Sequence, residues 1–238
     1  MTKSWSVLFL LLLLSTTNLF AQNNKTVVLT FDDAPQSHYS FVAPLLKQLG
    51  FGATFYVCEF PGVSPDSTKA MNWRQIAQLS HMGFEIGNHT RTHTLLKAIN
   101  ETAELGYVES KLDSLGVPRP TSYAYPGYVV DSSSFAVLKK HGYTSARIGG
   151  DKPYNIKADN AYLIPSFSIQ DGVGDLFYKA VQQAEKGKII ILTFHGVPDL
   201  PHPWVSMDQA VFRTYMQYLK DNHYKVIAMR DLKLAAKK

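Results

Sequence analysis

Short apolar runs rich in β-branched residues alternate along this chain with longer stretches of amphipathic periodicity. The clearest of these runs are TVVLTF, from Thr26 to Phe31, and IIILTF, from Ile189 to Phe194. Continuous apolar strands need cover on both faces, which a parallel sheet wrapped by helices provides. The runs therefore predict about seven or eight strands. The other predicted strands are Ala53 to Val57, Phe84 to Gly87, Thr121 to Tyr125, Thr144 to Ile148, Tyr162 to Ile169 and Lys225 to Ala228.

Amphipathic stretches of helical length separate the predicted strands. This regular alternation predicts an α/β fold, and a closed or nearly closed (β/α) barrel with about seven parallel strands is our first interpretation. An open, doubly wound sheet has the same alternation and remains the alternative. The predicted helices are Phe41 to Leu49, Trp73 to Met82, Glu101 to Leu115, Ser132 to His141, Leu176 to Lys186 and Asp208 to Asn222.

The first residues of the chain have the pattern of a cleaved signal peptide. Lys3 supplies a positive charge, an unbroken apolar run extends from Val7 to Leu14, and polar residues follow Ala21. Cleavage after Ala21 would leave residues 22–238 as one secreted or periplasmic domain. The apolar run has eight residues, whereas a helix that spans a bilayer needs about 20. We therefore expect no stable membrane insertion.

Composition narrows the classes of partner. The formal net charge is +5, and the positive residues are scattered rather than gathered into a basic stripe. We therefore expect no nucleic-acid partner. The only cysteine, Cys58, cannot form an internal disulfide, and its apolar surroundings predict a packed thiol at the end of a strand.

Ionisable residues follow three of the predicted strands. Asp32 and Asp33 follow the first strand, His89 and His93 follow the third, and His195 follows IIILTF. The C-terminal ends of barrel strands meet on one face, where active sites of this architecture form. We therefore expect these five side chains to lie close together.

The spacing of the two histidines restricts how they can share a metal ion. Residues four apart have Cβ atoms about 5–6 Å apart on a helical turn, but about 13 Å apart in an extended strand. The segment must therefore curl if His89 and His93 bind one ion. Two imidazoles and one carboxylate, from Asp33 or Asp32, form a usual catalytic zinc site. Neighbouring residues on a strand point to opposite faces, so one aspartate would bind the ion and the other would serve the water.

The segments TFDDAP, HTRTH and LTFH, in this order and on this background, resemble those of a known family. From about Thr26 to Leu232 the chain is similar to the polysaccharide deacetylases with the NodB homology domain, carbohydrate esterase family 4. The resemblance implies a distorted (β/α) barrel and hydrolysis of an N-acetyl or O-acetyl group on a carbohydrate. An acetylated glycan is then the expected substrate.

The resemblance also implies roles for the five ionisable residues. Asp33, His89 and His93 would bind a divalent metal, for which zinc is the default. Asp32 would be the general base and His195 the general acid.

Three features of the chain depart from the family's pattern. Ala124 in SYAYPGY stands where an arginine is expected beside Asp32, and Arg91 or Arg147 is a candidate replacement. Ala34 stands where the first motif usually has glycine. The Asp-Trp pair expected in the fourth motif is missing. In its place, SFSIQDGVGD offers Asp171 or Asp175 as the carboxylate that orients His195, and we choose Asp171.

Further residues are candidates for contact with the substrate. Tyr125, Pro126, Gly127 and Tyr128 are candidates for the acetyl pocket, and a backbone N–H of Gly127 or Tyr128 is a candidate oxyanion donor. The proline-rich loop after His195, with His202 and Trp204, is a candidate aromatic platform for a sugar face. Two alternative functions remain open at this point. They are a glycan-binding protein with little turnover and an amidohydrolase that acts on a small cyclic amide.

Overall fold

The computed structural model describes residues 25–60, 62, 68–185 and 187–232. The predicted signal peptide, residues 1–21, lies outside the described residues. Within this described part, no helix is both long and apolar enough to cross a bilayer.

Nine strands form one curled sheet, with β1 near its middle. They run in the order β5, β4, β3, β2, β1, β8, β6, while β7 also pairs with β8 and β9 with β1. Every pairing between these strands is parallel except that of β6 with β8. The strands are β1 (Thr26–Phe31), β2 (Thr54–Val57), β3 (Glu85–Asn88), β4 (Ser122–Ala124), β5 (Ser145–Arg147), β6 (Tyr154–Asn155), β7 (Phe167–Ser168), β8 (Lys188–Phe194) and β9 (Lys225–Ile227).

The stretch that leads into β7 connects the two sides of the sheet. The N–H of Ile148 donates to the carbonyl of Ile164 at 2.8 Å, and the N–H of Ile169 donates to the carbonyl of Thr193 at 2.8 Å. This stretch therefore links β5 to β8 and curls the sheet into a distorted (β/α) barrel. The predicted barrel is confirmed, whereas the predicted strand from Tyr162 to Ile169 is reduced to two residues. Pro165 interrupts it because proline has no N–H to donate to a ladder.

Six α-helices surround the described sheet, and most match the predicted bounds to within two residues. Local sequence sets where they begin: the Asn72 side chain accepts the N–H of Gln75, and the Asp208 side chain accepts two N–H groups of the last helix. The helices are α1 (Ala43–Leu49), α2 (Trp73–His81), α3 (Tyr107–Ser114), α4 (Ser134–Lys140), α5 (Leu176–Val181) and α6 (Gln209–Asp221). Helix α5 ends earlier than predicted, and Lys186 lies outside the described residues.

A layer of phenylalanines lies directly below the C-terminal end of β1. Phe31 is in register with Phe55 of β2 and with Phe194 of β8. Its ring stacks on both neighbours, with centroids 5.0 and 5.5 Å apart. These three residues are completely buried. Because the next residue along β1 is Asp32, this rigid apolar floor fixes where the acidic pair leaves the sheet.

Candidate active site

The five ionisable residues predicted from the strand ends lie around one cavity of about 390 Å³. The cavity opens at the C-terminal ends of the parallel strands, the face at which barrel active sites form. Two parts of its wall come from loops that carry aromatic residues. The lining residues are Asp32, Asp33, Phe60, His89, His93, Gly127, Tyr128, Ser168, Gln170, His195, His202, Trp204 and Val205.

Asp33 lies between the two histidines of the HTRTH segment. Its Oδ1 atom is 3.3 Å from Nε2 of His89 and 3.5 Å from Nε2 of His93. The two imidazole rings have centroids 4.9 Å apart. The segment therefore curls, as a shared ion requires, and does not continue β3 as an extended strand.

The backbone at the end of β4 sets the tautomer of His89. Nδ1 of His89 lies 2.8 Å from the carbonyl oxygen of Ala124, which can only accept a hydrogen bond. Nδ1 therefore carries a proton, and Nε2 is the nitrogen that faces the Asp33 carboxylate, in the position of a metal ligand.

Glu104 fixes the loop that connects His89 and His93. Its carboxylate accepts the backbone N–H of Thr92 at 2.9 Å and the hydroxyl of the same residue at 2.8 Å. Within the loop, the hydroxyl of Thr90 accepts the N–H of Thr94 at 3.1 Å. These bonds fix the turn before any ligand binds, so little ordering remains to be done on binding.

The pKa values of the triad suit a cation site. Burial raises the pKa of Asp33, but the contact and charge of His89 and the charges of His195 and His93 bring it well below its ordinary value. Burial lowers the pKa of His89, yet the Asp32 and Asp33 carboxylates raise it above its ordinary value overall. Burial and the charge of His89 lower the pKa of His93. Asp33 is thus ionised, and a bound cation would take the place of a proton.

The triad fits a divalent metal. Its three ligand atoms all lie within 4.8 Å of one another. Oδ1 of Asp33 is buried and has no hydrogen-bond partner among the described residues, and a shared cation would satisfy it. Two imidazoles with one carboxylate are a donor set of catalytic zinc sites, and other divalent ions accept the same ligands.

Asp32 is held by Arg147 and not by Arg91. Nη2 of Arg147 donates to Oδ2 of Asp32 at 2.5 Å, and both side chains are buried. Oδ1 of Asp32 has no hydrogen-bond partner in the described part of the chain. Arg91 instead donates to Glu59 at 3.0 Å. Asp32 therefore has one oxygen fixed and one available as a proton acceptor.

The surroundings of Arg147 keep its side chain in one place. Its guanidinium lies 5.3 Å from the ring centroids of both Tyr56 and Tyr128, and Nη1 donates to the hydroxyl of Ser166 at 3.3 Å. Burial lowers the pKa of Arg147, but Asp32 and the two phenol groups raise it above its ordinary value overall. The buried guanidinium is thus a fixed positive charge.

His195 follows β8 and is anchored through its backbone. Its carbonyl lies 2.8 Å from Nε2 of His38, a buried histidine whose pKa is lowered by burial to about 4. Nε2 of His195 lies 3.9 Å from Oδ2 of Asp33. The Nδ1 atom has no hydrogen-bond partner among the described residues, and Asp171 is exposed in a turn beyond β7. The prediction that Asp171 orients His195 is therefore wrong.

Two of the predicted pocket residues do not line the cavity. Side chains alternate along a strand, so Tyr123 and Tyr125 point away from the barrel interior, and their rings pack together 5.0 Å apart. Pro126 is buried beside them. Gly127 and Tyr128 do line the cavity, but the backbone N–H of Tyr128 already donates to the carbonyl of Tyr125 at 2.9 Å.

Backbone strain is concentrated at this site. Seven non-glycine residues of the described part have positive φ, and five of them belong to the segments that carry the cavity residues. The left-handed conformation costs about 1–2 kcal/mol for such a residue. Strain of this kind is typical of functional sites. The five residues are Asp33, Ala34, Thr90, His93 and Tyr128.

Among the aromatic residues of the wall, Phe60 has no role predicted from the sequence, whereas His202 belongs to the loop predicted as an aromatic platform. Phe60, which follows β2, lies with its ring centroid 4.8 Å from that of His93. His202 lies beyond it, 4.4 Å from Phe60. The rule that led to the five ionisable residues also finds Phe60, because it too follows a strand on this face.

The fold and the ligand triad together define this protein as an α/β barrel with a candidate mononuclear metal centre. A family model described as polysaccharide deacetylase matches residues 21–146. Because this match spans more than half of the 238 residues, the chain belongs to the polysaccharide deacetylase family.

Individual relatives agree with this assignment. The peptidoglycan-N-acetylglucosamine deacetylase of Bacillus cereus is 26% identical over 213 residues, which cover 88% of this chain and 89% of that protein. The structure of PdaA, a family 4 carbohydrate esterase from Bacillus subtilis, matches 88% of this chain and 80% of that one with a TM-score of 0.60 and 22% identity. A family 4 acetyl xylan esterase from Clostridium thermocellum, solved with a cobalt ion, matches 87% of this chain and 89% of that one with a TM-score of 0.58 and 20% identity. The two structural likenesses show a shared fold.

Proposed function

We propose that this protein is a metal-dependent hydrolase that removes acetyl groups from a carbohydrate. The observation that carries the proposal is the convergence of Asp32, the Asp33, His89 and His93 triad, and His195 on one cavity. A binding module would not need a potential base and a potential acid that flank one cation site. Ala124 stands where the family has an arginine, and this difference favoured a protein with little turnover. Arg147 supplies the guanidinium to Asp32 instead.

Each side chain has a role that its geometry supports. Asp33, His89 and His93 would hold the metal, zinc by default, which supplies Lewis-acid chemistry to a carbonyl group and to water. Asp32 would accept the proton of the attacking water on its free oxygen. His195 would then donate a proton to the departing amine or alkoxide.

A backbone N–H beside Tyr128 would serve as an oxyanion donor. The N–H of Tyr128 is engaged within its own turn, which leaves the N–H of Gly127 as the candidate. Gly127 adopts φ 58°, a conformation that glycine takes without the steric cost that a side chain adds. The turn can therefore present this N–H to the cavity without further strain.

Acetate release by the purified protein tests the proposal. The substrate panel would contain N-acetylglucosamine oligomers, peptidoglycan, acetylated xylan and a small cyclic imide. We expect acetate release from at least one glycan, its loss on treatment with a chelator, and its recovery on addition of zinc. Hydrolysis of the imide alone would identify an amidohydrolase. Glycan binding without any release would identify a binding protein.

We also propose that the protein is exported. The signal-peptide pattern of residues 1–21 supports this proposal, and the family match begins at residue 21, close to the predicted cleavage site. N-terminal sequencing of the protein recovered from an export-competent host tests this proposal. A mature chain that begins near residue 22 is the expected result.

A further inference from the structure

Two consecutive residues of the segment after β1 contact the backbone around His195. The hydroxyl of Ser37 accepts the N–H of Val197 at 2.8 Å, and Nε2 of His38 lies 2.8 Å from the carbonyl oxygen of His195. Both side chains are buried. Because the same segment also carries Asp32, one short stretch of chain connects the proposed base with the backbone of the proposed acid.

His38 is a neutral hydrogen-bond donor in apolar surroundings. Burial lowers its pKa to about 4, so the imidazole carries one proton at neutral pH. A carbonyl oxygen can only accept a hydrogen bond, so this proton lies on Nε2 and is donated to His195. The ring packs on Phe31 and Phe55 of the apolar floor, with centroids 5.3 and 5.4 Å away. These contacts keep the donor in one place.

Further contacts fix the turn that follows β8. The carbonyl of Gly196 accepts the N–H of Met207 at 3.0 Å, and the carbonyl of Val197 accepts the side-chain amide of Gln209 at 3.2 Å. A Cβ atom at position 196 would lie 2.4 Å from the Cα atom of Asp199, so only glycine fits there. The backbone of this turn is therefore held on both sides of the glycine.

The imidazole of His195 has no comparable support from another side chain. Its Nδ1 atom is buried and has no hydrogen-bond partner among the described residues. Nε2 lies 3.9 Å from Oδ2 of Asp33, which is too far for a hydrogen bond. A carboxylate bonded to Nδ1 would fix both the ring and its tautomer. Without one, the position of the ring depends on the backbone that carries it.

We infer that Ser37 and His38 are positioning residues for His195, and that they act through its backbone where a carboxylate on Nδ1 would act through its ring. The inference rests on the proposed function, because it takes His195 as the group that protonates the departing amine or alkoxide. Loss of these two contacts would move the imidazole but would remove neither a metal ligand nor Asp32. It would therefore slow only those reactions whose leaving group needs a proton.

Two leaving groups of different basicity test the inference in the zinc-loaded protein. An amine or alkoxide leaves with a proton, whereas para-nitrophenolate leaves without one. His38→Leu removes the donor and is expected to lower kcat for acetate release from an acetylated glycan about tenfold, while hydrolysis of para-nitrophenyl acetate stays within about twofold. His38→Gln is expected to retain most of the glycan activity, because its amide nitrogen can donate to the same carbonyl. An equal loss on both substrates, or no loss on either, would overturn the inference.

Ser37→Ala is a milder variant that keeps the test available if His38→Leu does not fold. It removes only the acceptor of the Val197 N–H, and we expect a loss of about threefold, again confined to the glycan. Ser40→Ala is the matched control, because the exposed hydroxyl of Ser40 donates to the carbonyl of Gln36 on the same turn. The control should leave both rates unchanged. A wild-type glycan rate in Ser37→Ala would contradict the inference.

Crystal structures separate this inference from the proposed function. In the zinc-loaded wild type and in His38→Gln, the ring of His195 is expected to occupy one position. In His38→Leu, or in Ser37→Ala, it is expected to shift by about 1 Å or to occupy two positions. An unmoved ring in these variants would refute the positioning role even if acetate is released. A displaced ring in a protein that releases no acetate from any glycan would count against the proposed function alone.

Discussion

Replacing Asp32 with asparagine is expected to lower kcat for acetate release by about 10³-fold, the range of a lost general base. The substitution removes the proton acceptor that faces the cavity. An asparagine oxygen can still accept the hydrogen bond from Arg147, so the strand end should keep its geometry. Zinc affinity, measured by calorimetry, is expected to remain close to that of the unchanged protein, because the three ligand residues are retained.

Asp171→Asn is the matched control for this experiment. It makes the same chemical change at an exposed carboxylate that does not line the cavity. We expect wild-type kcat, since Asp171 makes no contact with His195. If Asp32→Asn kept kcat within about tenfold of wild type, a general-base role would be excluded.

The strands that carry the site were predictable because of how they are buried. β1 matches its predicted bounds from Thr26 to Phe31, and β8 begins one residue earlier than predicted, at Lys188. Both strands lie in the middle of the sheet. A continuous apolar sequence is typical of such strands because both of their faces are covered. Reading the residue after each strand then led to the five ionisable side chains, because a parallel barrel gathers these ends on one face.

Contacts that depend on side-chain direction or on strand register were not predictable. Tyr125 is a predicted pocket residue because it is adjacent to Pro126, but it follows β4 and packs against Tyr123, away from the barrel interior. Asp171 lies in the segment that stands in place of the missing Asp-Trp pair, but it is exposed in a turn. β6 was missed because a strand of two residues has no measurable period.

The position of Arg147 depends on the register between two strands, which the sequence alone does not reveal. It is the direct partner of Ala124 in the pairing of β4 with β5, so its guanidinium occupies the space that the small Ala124 side chain leaves open inside the barrel. From the sequence, Arg91 and Arg147 were equal candidates. Only the pairing of these two strands places one of them beside Asp32.

Replacing Arg147 with alanine is therefore expected to lower kcat by about 10²-fold with a much smaller change in KM. The loss removes the charge-assisted hydrogen bond that fixes one oxygen of Asp32, while the substrate-facing walls remain. It also leaves a buried carboxylate without its partner, which costs about 3–5 kcal/mol of folding free energy. Thermal unfolding must be measured alongside the kinetics for this reason.

Moving the arginine from β5 to β4 separates its effect on the position of Asp32 from its effect on folding stability. In the double variant Ala124→Arg/Arg147→Ala, the guanidinium starts from the neighbouring position of β4 and can reach the same carboxylate. We expect kcat to recover at least about tenfold relative to Arg147→Ala, because a charge-assisted hydrogen bond from a guanidinium to Asp32 is restored. Arg91→Ala is the control, since Arg91 pairs with Glu59 at the surface, and it should keep wild-type kcat. A double variant that folds as stably as wild type but stays as slow as Arg147→Ala would show that Asp32 does not depend on a guanidinium.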